Sequence, residues 1–192
     1  MIKEFTADFE YLYKTRNQKQ IIGGHKDMIN IIKHYINPDS KILDIGERNP
    51  LTGRIEEYHK CKIENTEGDI DVNFSIPSDN YNIIIFSHII EHIFNPLHAL
   101  LRIKKVMNNN TVLIVALPQR TKLLWTKGHY HEIDDYRIRL LFKRANLKVI
   151  RVYKDKIKRE FWFYFTGFRP MLRLLLEYNV VYILKLNEKD TD

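Results

Sequence analysis

The sequence predicts an α/β protein built on a largely parallel sheet. Apolar runs of strand length alternate with helix-length amphipathic stretches between residues 41 and 154, the order that a parallel sheet with crossover helices requires. Two of the runs, 82–86 (NIIIF) and 111–117 (TVLIVAL), are almost wholly apolar, as expected of central strands covered on both faces. The 192 residues hold no internal repeat, low-complexity linker or Pro/Gly-rich boundary, so a single domain over 1–192 is expected.

Taken in order, residues 5–35 read mainly as helix, with Ile29, Ile32 and Ile36 at helical spacing until Asn37-Pro38-Asp39-Ser40 stops them. Residues 1–36 thus form an expected helical cap. The core over 37–154 follows: a strand at 41–45, a helix around 52–59, and strands at 61–65, 69–73 and 81–87. A helix at 95–107, a strand at 111–117, a helix at 133–145 and a strand at 147–154 complete it. Behind Pro96, residues Leu97, Leu100, Leu101 and Lys104 follow the i, i+3, i+4, i+7 rule, which sets three leucines against the sheet. Residues 155–178 form an insertion before a last strand over 179–187. Gly167 ends one short helix there, and Pro170 suits the opening turn of a second. Phe161, Phe165, Phe168 and Leu172 share one face, expected to cap the sheet, while Trp162 and Tyr164 lie off it.

Composition excludes several classes. With 44% apolar and 29% charged residues the chain is neither disordered nor collagenous. Its apolar runs fall far short of the ~18 residues that a membrane-spanning helix needs. Cys61 is the single cysteine, so no intrachain disulfide or C-x-x-C site exists, and a reducing, cytoplasmic setting is expected. The opening MIKEFTADFE has neither the basic nor the apolar region of a secretory signal. The net charge of +7 is concentrated: residues 137–173 hold 12 Lys/Arg and 2 Asp/Glu, against 19 and 22 elsewhere. An anionic acceptor, carrier or surface is therefore expected to meet the chain at that segment.

In open α/β sheets ligands lie beyond the carboxyl ends of the strands, and three loops there carry functional groups. The first reads Leu43-Asp44-Ile45-Gly46-Glu47-Arg48-Asn49-Pro50, and the second runs from Glu64-Asn65-Thr66 into Gly68-Asp69-Ile70-Asp71. The third is Ser87-His88-Ile89-Ile90-Glu91-His92-Ile93-Phe94-Asn95-Pro96. Together they resemble the class I S-adenosylmethionine-dependent methyltransferases. The D-x-G-x-G-x-G motif of that family is matched at Asp44 and Gly46 but is degenerate, with Arg48 and Pro50 where the later glycines stand. Its acid at the end of the second strand falls on Glu64, its Gly-Asp on Gly68-Asp69, and its F-D…E-H signature on Tyr81-Asn82 through Glu91-His92. The resemblance spans roughly 25–155 and implies a doubly wound, Rossmann-like, mostly parallel sheet of seven strands. Helices lie on both faces and the final strand is antiparallel; the short link from Glu64 to Asp69 leaves the sheet one helix short. That short link also makes Glu67 an alternative to Glu64.

The resemblance further implies S-adenosyl-L-methionine as cofactor, bound by Asp44, Gly46, Glu47, Arg48, Glu64, Asp69, Ile70, Ser87 and His88. Gly46 would let backbone approach the ligand, Glu64 would accept from the ribose hydroxyls, Asp69 from the adenine amino group, and Arg48 would bond the tail carboxylate. A hydroxyl acceptor needs a base, for which His131 comes first, then His129 and His92. No metal is expected; Glu91-His92 does resemble the E-x-x-E-H metal cluster of small-RNA 2′-O-methyltransferases and ubiquinone-pathway enzymes, which makes Glu91, His92 and His131 the alternative metal set. The expected activity is O-methylation of a small-molecule, glycan or lipid-linked acceptor, with peripheral contact to an anionic surface through 156–173 and no nucleic acid. The competing readings are a degenerate binding module without activity and a metal-assisted RNA 2′-O-methyltransferase. A nicotinamide dehydrogenase is disfavoured, because no usable G-x-G-x-x-G is present and Pro50 removes a backbone donor.

Overall fold

The computed structural model describes residues 27–125, 128–157 and 161–187. Most of the helix expected over 5–35 lies outside them; residues 27–32 are helical and end near the expected Asn37-Pro38-Asp39-Ser40 turn. The order that follows is β1 (Ile42–Asp44), α1 (Pro50–His59), β2 (Ile63–Asn65), β3 (Glu67–Asp69), β4 (Asn73–Ser75), β5 (Ile83–Ser87) and α2 (Pro96–Lys104). Then come β6 (Val112–Gln119), α3 (Asp135–Arg144), β7 (Leu147–Lys156), α4 (Phe168–Leu176) and β8 (Tyr178–Leu186). Short 3-10 turns at Lys122–Leu124 and Phe161–Phe165 precede α3 and α4.

Six strands form one sheet in the order β2-β1-β5-β6-β8-β7. β2, β1, β5 and β6 run parallel, and β8 is inserted antiparallel between β6 and β7. Strand alternation divides the core in two. Leu43, Ile84, Phe86, Leu113, Val115, Tyr182 and Leu184 point to the face covered by α2 and α3. Ile42, Ile83, Ile85, Ile114, Ala116, Val181 and Ile183 point to the face covered by α1 and the 27–32 helix. The α/β, doubly wound expectation thus stands, with helices on both faces and an antiparallel final strand.

Three details differ. Among the described residues the sheet has six strands, not seven, because residues 67–75 fold back as the separate β3–β4 hairpin where a third parallel strand was expected. Gly68 has φ +98°, and a Cβ there would lie 2.7 Å from the Asn73 carbonyl oxygen, so this hairpin needs glycine. α2 is rotated from the expected stripe: Asn95 caps it, and Pro96, Ala99, Leu100 and Ile103 are buried while Leu101 is exposed. The aromatic face of the insertion does not cap the sheet; Phe161, Phe165 and Phe168 are exposed.

Candidate functional site

The carboxyl ends of β2, β1 and β5 lie side by side, since Asp44 is in register with Asn65 on one side and Ile85 on the other. Three loops therefore open on one edge. Gly46 turns the first at φ +101°, where a Cβ would lie 3.1 Å from Ile89 Cδ1 of the third loop. Its N–H donates to Thr66 Oγ1 at 2.7 Å, and its carbonyl accepts from Asn65 Nδ2 at 3.1 Å. Asn49 then caps α1, its side chain accepting from the N–H groups of Leu51 and Thr52, with Thr52 closing the capping box. Pro50, which breaks the glycine pattern, occupies the first helical turn, where no N–H is needed.

Asp44, 2% exposed, accepts from Thr52 Oγ1 at 2.6 Å and Asn49 Nδ2 at 3.1 Å. Burial outweighs these bonds and pushes its carboxyl up to about 6. Arg48 is paired with Glu56 of α1. Glu64 accepts from Ser78 Oγ at 2.6 Å and Tyr81 Oη at 2.5 Å. Those bonds hold Glu64 below the usual carboxylate range, while burial, with Glu64 adding to it, pushes the Tyr81 hydroxyl up to about 12. Asp69 and Glu67 are exposed on the hairpin. Asp69 accepts from the Asp71 N–H at 2.9 Å, and Asp71 from the Asn95 N–H at 2.8 Å, which ties the hairpin to the third loop. Glu47 is exposed, Ile70 packs against the core, and Ser87 and His88 are half-buried at the edge. Of the residues expected at a cofactor, Gly46, Ser87 and His88 come together here, whereas Arg48 and Glu64 are committed to partners within the chain.

The histidines separate into three roles. His92 Nδ1 lies 2.8 Å from the Gly128 carbonyl, which can only accept, so Nδ1 carries the proton and Nε2 presents its lone pair. That nitrogen lies 4.0 Å from Oε1 of Glu91, itself 2% exposed, whose other oxygen has no hydrogen-bond partner among the described residues. Burial alone would raise the Glu91 carboxyl, but His88 and His92 bring it below its ordinary value; burial pushes His92 down. Glu91, His92 and His129 each offer a ligand atom, all within 4.8 Å of one another. One carboxylate and two imidazoles suit zinc or iron better than magnesium. His131 stands outside this set, its Nε2 3.2 Å from the Phe94 carbonyl. It lines a cleft of about 590 Å³ with Trp125, His129, Tyr130, Glu132 and Ile133.

His129 also joins a nearly buried charge network that the sequence reading missed. Its Nδ1 is 3.1 Å from Glu132, Arg120 reaches Glu132 at 3.6 Å and Glu177 at 2.5 Å, and Arg173 reaches Glu177 at 2.6 Å. These residues come from the position just after β6, the loop before α3, α4 and the residue after it, so no local motif marks them.

No protein-family model matches the sequence, and no curated protein does. Solved structures do. The chain is similar to a SAM-dependent methyltransferase from Archaeoglobus fulgidus, with a TM-score of 0.60 and 12% identity over 91% of this chain and 98% of that one. It is similar to the StiE O-MT, at 0.56 and 10% over 86% and 75%, and to the [4+2]-cyclase SpnF, at 0.57 and 8% over 83% and 80%. The fold is that of the class I methyltransferases. In this methyltransferase fold the departures are local: the β3–β4 hairpin takes up residues 67–75, and Arg48 with Pro50 secures α1 in place of a glycine-rich turn. Within the described residues no helix is long and apolar enough to cross a membrane.

Proposed function

We propose that the chain is an S-adenosylmethionine-dependent methyltransferase that O-methylates a small-molecule, glycan or lipid-linked acceptor. The observation that carries this reading is the convergence of the Gly46 loop, Ser87 and His88 on the sheet edge of a methyltransferase fold, next to a cleft holding His131. Bound at that edge, S-adenosylmethionine supplies a methyl group on a sulfonium, so the protein's part is to align an acceptor and remove one proton. Asp44 fixes the loop from beneath through Asn49 and Thr52, and the exposed Asp69 is the acceptor for an adenine amino group. His131 donates through Nε2 to the Phe94 carbonyl, which leaves Nδ1 with a lone pair for the hydroxyl proton. His129 and His92 are held by other partners and rank behind it.

Calorimetric titration with S-adenosylmethionine and S-adenosylhomocysteine tests the reading. Micromolar binding supports it, and no heat at millimolar ligand overturns it. With an acceptor in hand, His131→Ala should lower turnover on the order of 10²-fold or more while leaving cofactor affinity unchanged. Two observations favour a second reading, a methyltransferase-fold binding module without activity: Glu64 is taken up by Ser78 and Tyr81, and Ile89 closes on Gly46. That reading predicts the null titration.

A further inference from the structure

We propose that the segment between β7 and β8 is a peripheral anchor that seats on an anionic lipid bilayer. α4 is turned inside out relative to an ordinary surface helix. Its basic side faces the protein: Arg169 donates to the Trp125 carbonyl at 2.5 Å, and Arg173 to Glu177, which is 1% exposed, at 2.6 Å. Its apolar side faces outward, with Phe168 at 70% and Leu175 at 60% exposure and Met171 and Leu174 beside them. The turn before it adds Phe161, Trp162 and Phe165 at 68%, 76% and 67%, their rings clustered in edge-on and tilted contacts with centroids 4.9 to 6.2 Å apart. A buried ion network thus clamps the helix so that its apolar face points away from the core, the reverse of what core packing would select.

Lysines border the segment. Lys122 lies over the Trp125 ring, Lys154 and Lys156 over the Tyr178 ring, and Lys156 donates to the Leu175 carbonyl at 2.6 Å. Among the described residues none of these lysines, nor Arg169, is paired with a carboxylate. Tryptophan and phenylalanine beside unneutralised lysines match the boundary between acyl chains and anionic headgroups. A second copy of the chain fits worse: a two-fold contact through this face would bring the bordering Lys122, Lys154 and Lys156 of one copy toward the same lysines of the other, with no carboxylate among the described residues to pair them. The bilayer contact stands without any assumption about activity. Its consequence, that the cleft lined by Trp125 and His131 opens beside the surface and takes a lipid-carried acceptor, rests on the methyltransferase reading.

The test is co-sedimentation of the full chain with phosphatidylcholine vesicles and with vesicles containing about one-third phosphatidylserine, at low and high salt. Binding to the anionic vesicles with a blue shift of tryptophan emission, weakened tenfold or more by Trp162→Ser with Phe165→Ser, is expected. Lys122→Gln and Lys156→Gln should each weaken it about fivefold. These side chains are exposed, so circular dichroism melting of every variant should match the parent. Absent or salt-insensitive binding overturns the anchor, as does unchanged binding by the Trp162/Phe165 variant. A dimer in light scattering that the same variant abolishes also overturns it, in favour of a second copy. Cofactor titration on the same preparation keeps the two readings apart: lost vesicle binding with intact cofactor binding sinks the anchor alone, and the converse sinks methyl transfer alone.

Discussion

Asp44 is buried between Thr52 and Asn49 with its carboxyl pushed up to about 6, from an ordinary value of 3.8. Because the folded state holds the proton more tightly, the stability it confers is complete below about pH 4 and is lost as pH rises through about 6, an effect of about 3 kcal/mol. Asp44→Asn keeps an acceptor for Thr52 and removes the buried charge. It should flatten stability across pH 4 to 7 and unfold at higher urea than the parent at pH 7; an unchanged slope in urea titrations would show that Asp44 is not the titrating group. The other residue-scale prediction concerns Glu91, His92 and His129, whose ligand atoms lie within 4.8 Å of one another. Elemental analysis of purified protein should find about one zinc or iron per chain, retained by His131→Ala and lost in His92→Ala. Metal-free protein, or loss with His131→Ala, would contradict the geometry. At this scale the sequence exposed the titratable residues but not their partners: Glu64 looked free for a ligand because Ser78 and Tyr81 follow it by 14 and 17 positions.

At the scale of elements, the core strands and helices were legible because their periodicity is strong: 82–86 and 111–117 became β5 and β6, and 133–145 became α3. The run at 69–73 was misassigned. Alternating apolar residues there suit a strand, but pairing is decided by what lies alongside, and Gly68 lets the chain fold back on itself as β3–β4. Gly68→Ala should therefore cost about 1 to 2 kcal/mol of stability from backbone strain alone, more with the 2.7 Å approach to the Asn73 oxygen. Thermal melting checks this, and an unchanged midpoint would mean the hairpin is not closed as described. α2 teaches a smaller lesson: both Leu97–Leu101 and Ala99–Ile103 stripes satisfy helical spacing, and the sheet selects the second because Asn95 and Pro96 set where the helix begins.

For the whole molecule, the uneven charge acquires a structural reason. The basic excess runs through α3, β7 and the insertion, whereas the rest of the chain is slightly acidic. What joins insertion to body is Glu177, 1% exposed and shared by Arg120 and Arg173. Removing it leaves two arginines facing a nearly buried space, so Glu177→Ala should cost about 3 to 5 kcal/mol. Hydrogen exchange should show α4 released before the sheet unfolds; loss of protection across all strands at once would mean the network supports the whole core rather than the insertion.

The sequence by itself determined the α/β class, the parallel core and the Asp44–Gly46 turn, because hydropathic period and turn chemistry are local properties written into consecutive residues. Only the tertiary structure decided that the sheet has six strands, that Glu64 and Arg48 are spent inside the chain, that His129 rather than His131 joins Glu91 and His92, and that the aromatic face of α4 looks outward. Each of those depends on groups far apart in the chain competing for one place, and such competition is settled by packing and charge rather than by spacing.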